Sequence, residues 1–177
     1  MNLEAVPAWT WLAVVVVLGV NQSLQAAMLG AMGRLRGPFE SSWLSIFGTL
    51  ALISAALAAE ALAGRPPALP PAVANVLVPG AVSLLAVALI VLSLPGIPWW
   101  FALTGLLAGP YLLAAAFLAP QLGVGPFMAA IITGQLVGGI LLDHFGAFDT
   151  TARPIDAMRL LGVAALLAGL LLIRGRR

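Results

Sequence analysis

The chain has 177 residues, of which 62% are hydrophobic and only 8% charged; net charge is +2 and there is no cysteine. A mean hydropathy of +1.11 excludes a water-soluble domain, whose surface needs far more charge. Disulfides and thiolate metal sites are excluded as well, and the isoelectric point near 10.5 does not indicate nucleic-acid binding, because the eight basic residues, all Arg, sit at the ends of apolar segments rather than in a stripe.

In chain order, the start holds Glu4 and no basic residue before the first apolar segment. A cleaved leader needs a basic start, so this segment, 9–32, is expected to be a retained span, closed by Arg34 and Arg36. The second span, 42–63, opens after Pro38 and closes at Arg65; Pro66, Pro67, Pro70 and Pro71 then form a stiff linker. From residue 66 to residue 142 no side chain is charged. That stretch accommodates a third span at 73–94, with Pro79-Gly80 interrupting its first turns, a Pro95-Gly96-Ile97-Pro98 turn, a fourth span at 99–119 and a fifth at 124–142. Pro110 falls mid-span, where it can break a helix, while Pro120 and Pro126 bound a short loop. A sixth span covers 157–173, and all five Trp residues fall at span ends, as an interfacial aromatic belt requires. The expected fold is one all-α membrane domain of about six transmembrane helices, with five as the alternative.

Orientation follows from the arginines. With six spans, Arg34, Arg36, Arg153 and Arg159 face Arg65, Arg174, Arg176 and Arg177, an even balance that suits dual topology. With five spans, Arg34, Arg36, Arg174, Arg176 and Arg177 share the cytoplasmic side and the N-terminus lies outside.

Gly105 with Gly109, and Gly134 with Gly138, are GxxxG pairs that let helix backbones approach, either within the chain or between subunits. In the first span Asn21, Gln25 and Met28 share a face, with Gln22 beside it; such polar groups must look into the bundle, as interhelical glue or as a cavity wall. Thr133 and Gln135 on the fifth span and Tyr111 on the fourth complete the candidate substrate-binding set of Asn21, Gln25, Tyr111, Thr133 and Gln135. Ser45 and Thr49 are expected to bond their own preceding carbonyls. Proton coupling requires an ionisable group, and none lies mid-span. The candidates are Glu60, which can pair with Arg65, and Asp143 and His144 at the end of the fifth span. One His with one adjacent Asp is no metal-ligand set, and neither a metal nor a cofactor is expected.

The string Gly134-Gln135-Leu136-Val137-Gly138-Gly139-Ile140-Leu141-Leu142-Asp143-His144-Phe145-Gly146, followed by Arg159-Leu160-Leu161-Gly162 and Leu167-Ala168-Gly169, resembles the YdcZ-type membrane proteins of the drug/metabolite transporter (DMT) superfamily. Trp99-Trp100, Gly105 to Gly109 and Leu118-Ala119-Pro120 fit the same family, and Leu24-Gln25-Ala26, Gly37-Pro38 and Gly48-Thr49 fit in outline. The family carries an Asn after the Gln-Ala of its first helix, where this chain has Met28, Leu29 and Gly30, and the segment 73–94 looks like an addition to it. The resemblance implies a half-size inner-membrane exporter working as an antiparallel or otherwise paired dimer, with itself or with a small homologue.

The expected function is therefore a small multi-spanning transporter that exports a metabolite or hydrophobic compound by alternating access. A non-transporting scaffold or subunit of a larger membrane complex is the alternative. An intramembrane enzyme on Asp143-His144 would need a second catalytic group, and only Asp149, Arg153 and Asp156 are near in sequence; no catalysis is expected.

Overall fold

The computed structural model describes residues 7–65 and 67–174. Glu4, Pro66, Arg176 and Arg177, which enter the leader, linker and orientation arguments, lie outside the described residues. Those described form six α-helices and no strand: α1 Ala8–Arg36, α2 Pro38–Leu62, α3 Leu77–Ser93, α4 Thr104–Leu122, α5 Val124–His144 and α6 Ala157–Arg174, with 3-10 turns at Trp99–Leu103 and Ala147–Asp149. Four stretches are long and apolar enough to cross a bilayer: Ala8–Arg36, Pro38–Leu62, Trp99–Leu122 and Val124–His144. With 17 residues, α3 is shorter; at 1.5 Å per residue it reaches about 25 Å, near the lower limit for a span.

Several helix limits differ from the sequence expectation, and two of them, the start of α3 and the α4–α5 boundary, have a clear local reason. α3 starts at Leu77 because the Asn75 side chain accepts from the N–H groups of Leu77 (2.9 Å) and Val78 (3.0 Å), ending the linker there. Pro79 then stands in the first turn, where a missing N–H costs nothing, so it starts the helix rather than interrupting it. Pro110 and Pro120 both lie inside α4, and the expected loop at 120–126 shrinks to Gly123 alone. Gly123 (φ 87°) and Gly37 (φ 101°), which separates α1 from α2, each turn the chain in one left-handed step that a side chain would oppose.

The chain forms two compact units, Met1–Ala31 with Pro110–Arg177, and Met32–Gly109. In the second unit, α2 and α3 pack together and the Ser83 hydroxyl donates to the Ala51 carbonyl at 3.0 Å. Gly48 lies against Gly105; a methyl on Gly48 would stand 2.8 Å from the Gly105 Cα. The Thr49 hydroxyl bonds its own Ser45 carbonyl (3.0 Å), as expected, and also reaches the Gly105 carbonyl at 2.9 Å. Leu52 covers Gly109. At the end of α1, the Arg36 guanidinium donates to the carbonyls of Ser93 (2.9 Å) and Pro95. A cation there satisfies the free carbonyls and negative dipole end of α3. It also fixes the path: α2 leaves the α1–α2 turn and α3 returns to it.

The first unit is built around Leu12, Val15, Leu118, Phe127, Ala130, Ile131 and Leu170, contributed by α1, α4, α5 and α6. Gly134 of α5 meets Gly19 of α1 so closely that a methyl on either would collide with the other helix's backbone. One turn on, Gly138 abuts Ser23 and Val20. Both GxxxG faces are thus occupied within the chain, which removes them from a subunit interface.

Candidate functional site

The second half of α5 carries Gln135, Gly139 and Asp143 at four-residue spacing, a stripe of about 12 Å along one helix face. A cleft of about 460 Å³ opens beside it, walled by Gln22, Ser23, Ala26 and Ala27 of α1, with Leu142 and Thr150 also on its lining. A second cleft of about 370 Å³ shares the stripe and is walled by Arg159 and Gly162 of α6, with Leu136 and Ile140 of α5. Both clefts therefore share the α5 stripe as their floor, one toward α1 and the other toward α6, and the two together are termed the groove.

The floor exists because adjacent glycines have opposite tasks. Gly138 is buried against α1, and a methyl added to it would stand 2.8 Å from the Ser23 hydroxyl; a methyl added to Gly139 would meet nothing within 4 Å. Gly162, across on α6, is equally open. The α1 wall is held by the Ser23 hydroxyl, which donates to the main-chain carbonyl of Gln135 at 2.6 Å. In a bilayer, such a bond from a small residue draws helices together where apolar burial offers no net gain.

At the Asp143 end the connection from α5 to α6 is tied back on itself. The Asp143 carbonyl accepts from the Arg153 N–H at 2.7 Å, and His144 Nδ1 accepts from the Ile155 N–H at 3.2 Å. Gly146, Phe148 and Asp149 all have φ near 58°; for Phe148 and Asp149 this left-handed conformation is strained. The Asp156 carboxylate caps α6 by accepting from the Arg159 N–H at 2.8 Å. These ties bring the Arg159 guanidinium to 3.6 Å from the Asp143 carboxylate, one loose contact between partly exposed groups, and the guanidinium also donates to the Arg153 carbonyl at 3.4 Å.

The sequence candidates divide accordingly. Gln135 and Asp143 line the groove. His144 holds the loop to α5, and its ring meets Phe145 edge-on. Thr133 is 1% exposed and donates to the Ala129 carbonyl at 2.8 Å. Tyr111 packs on the core with its ring 6.3 Å from Phe127. Gln25 is 8% exposed and Asn21 is half-buried; both have partners within the protein. The α1 carboxamide that lines the groove is Gln22, next to the face that Asn21 and Gln25 share. Glu60 belongs to the second unit and pairs with Arg65 at 3.0 Å on the surface.

Sequence reasoning left Gln22 out of the substrate-binding set and missed Arg159 as the partner of Asp143. The signal for the second was present: Asp156 is an N-cap residue three positions before Arg159, which places Arg159 in the first turn of a helix that follows α5 directly.

A family model described as "Putative inner membrane exporter, YdcZ" matches residues 10–172, so the segment 73–94, taken from the sequence as an addition, lies inside the match. No curated protein and no solved structure matches the chain. With its helices, its apolar spans and this match over nearly its whole length, the chain belongs to the YdcZ family of the DMT group and is a multi-pass inner-membrane protein.

Proposed function

We propose that this protein exports a small metabolite or drug-like compound by alternating access, and that the groove on α5 is the substrate path. The observation that carries the reading is the open floor at Gly139. A helix in a tight bundle covers its glycines, as α5 does at Gly134 and Gly138, yet between Gln135 and Asp143 it leaves one bare within a polar-edged groove. Polar groups in a membrane segment are retained against a desolvation cost, so a carboxamide and a carboxylate flanking an open floor indicate ligand contact. Gln135 and Leu136 remain exposed on this chain. A second copy, or a paired small homologue, would supply the missing wall and the second moving half that alternating access needs.

The test is flux in proteoliposomes. Gly139→Leu, whose Cβ would meet nothing within 4 Å, fills the floor and is expected to abolish flux while leaving the protein folded; Gln135→Ala is expected to reduce it. Flux unchanged by both substitutions removes the groove from the path. A protein that moves and binds no compound in a broad screen is a scaffold or subunit instead.

A further inference from the structure

Asp143 and Arg159 are each on the unfavourable end of a helix. Asp143 is the penultimate residue of α5, where main-chain carbonyls already concentrate negative potential. Arg159 is in the first turn of α6, where free N–H groups concentrate positive potential. The usual preference is the reverse, so the helices do not explain these charges, and the two hold each other by one 3.6 Å contact only. A pair built for stability would be bidentate and shielded; here the carboxylate side chain is 45% exposed and the guanidinium 25%. Both face a cleft of about 370 Å³ whose remaining walls carry one further polar side chain, Gln135, with Leu136 and Ile140 apolar and Gly139 and Gly162 leaving space.

From this arrangement we infer that the groove takes a small zwitterion, an amino acid with an aliphatic side chain, its ammonium group on Asp143 and its carboxylate on Arg159. The inference rests on the transport reading and names its substrate class. A lone cation would meet the guanidinium and a lone anion the carboxylate, each leaving one charge opposed. A zwitterion inserted between them replaces one loose contact with two charge-assisted hydrogen bonds and leaves no net charge in the membrane. The helix ends now favour the ligand, since its ammonium lies at the negative end of α5 and its carboxylate at the positive end of α6. The aliphatic side chain lies over Gly139 against Leu136 and Ile140.

The experiment compares three probes on the purified protein by calorimetry: L-leucine, L-leucinamide, which keeps only the positive charge, and N-acetyl-L-leucine, which keeps only the negative one. L-leucine is expected to bind saturably and each analogue at least about tenfold more weakly, the loss expected when a charge-assisted contact is removed. Asp143→Asn and Arg159→Gln are expected to weaken L-leucine by a similar factor, and Gly139→Leu to abolish its binding. The analogue series needs no variant, so it stands even if a charge variant fails to fold. Equal binding of leucinamide, or of N-acetyl-leucine, overturns the zwitterion assignment, as does absence of leucine binding or binding indifferent to Gly139→Leu. Flux separates this failure from that of the transport reading. A protein that carries another compound, blocked by Gly139→Leu, but ignores leucine keeps the transport reading and loses the substrate class. Leucine bound in the groove without any flux keeps the site and overturns transport.

Discussion

Ser23 of α1 donates its hydroxyl proton to the main-chain carbonyl of Gln135 at 2.6 Å, joining the two helices at the turn where the groove begins. The second unit repeats the device, with the Thr49 hydroxyl on the Gly105 carbonyl at 2.9 Å beside the Gly48–Gly105 approach. In both units a hydroxyl next to a glycine contact reaches a carbonyl on the facing segment. Ser23→Ala and Thr49→Val are each expected to lower stability by about 0.5–1.5 kcal/mol, the range for interhelical bonds in membranes. Denaturant titration in mixed micelles measures it. Of the two, only Ser23→Ala is expected to change ligand binding in the groove.

Gly138 and Gly139 offer a sharper contrast. A side chain at Gly138 drives into Ser23 and Val20, while one at Gly139 meets open space. Gly138→Val is expected to destabilise by about 1–3 kcal/mol or more through overpacking. Gly139→Ala is expected to be neutral, or stabilising by up to about 1 kcal/mol, because glycine is the poorer helix former. Equal losses at both positions in thermal unfolding would count against the packing described here.

Arg36 holds the end of α3 through two carbonyls, Ser93 and Pro95. Lysine, a single compact charge, cannot span both with a planar fork. Arg36→Lys is therefore expected to loosen the 93–98 turn, and Arg36→Ala to loosen it further, read as faster hydrogen exchange at the last turn of α3 with α2 unaffected.

The same contact makes a topological prediction. The chain contains no cysteine, so single cysteines can be placed and labelled without background. Phe39 (86% exposed) and Trp99 (71%) flank the edge where α3 returns, and Leu69 (42%) lies in the linker at the other end of α2. Cysteines at 39 and 99 are expected to react from one side of the membrane and a cysteine at 69 from the other. Labelling of all three from both sides would report dual insertion, and labelling of 69 with 39 would show that α2 and α3 do not each cross.

What was legible in the sequence was whatever depends on the solvent. The uncharged stretch from 66 to 142, the arginines at segment ends and the tryptophans at span edges follow from the cost of charge in hydrocarbon, which acts on each segment independently. Six helices, the larger of the two expected numbers, follow from the same cost, while the GxxxG faces follow from helical periodicity. The limits that shifted, at Asn75 and at Pro120 to Pro126, did so because a cap or a single left-handed glycine is settled by a few local bonds that hydropathy does not register.

The site was only half legible. Gln135 and Asp143 lie eight residues apart on one helix, so their common face follows from periodicity alone. Which face of α1 meets them does not: Asn21 and Gln22 differ by about 100° of rotation, and the close approach of Gly19 to Gly134 selects Gln22. Nor could composition tell Gly138 from Gly139, or bring Arg159 to Asp143. Those depend on how one helix rotates against another and how a strained loop folds back, and only packing in three dimensions decides that.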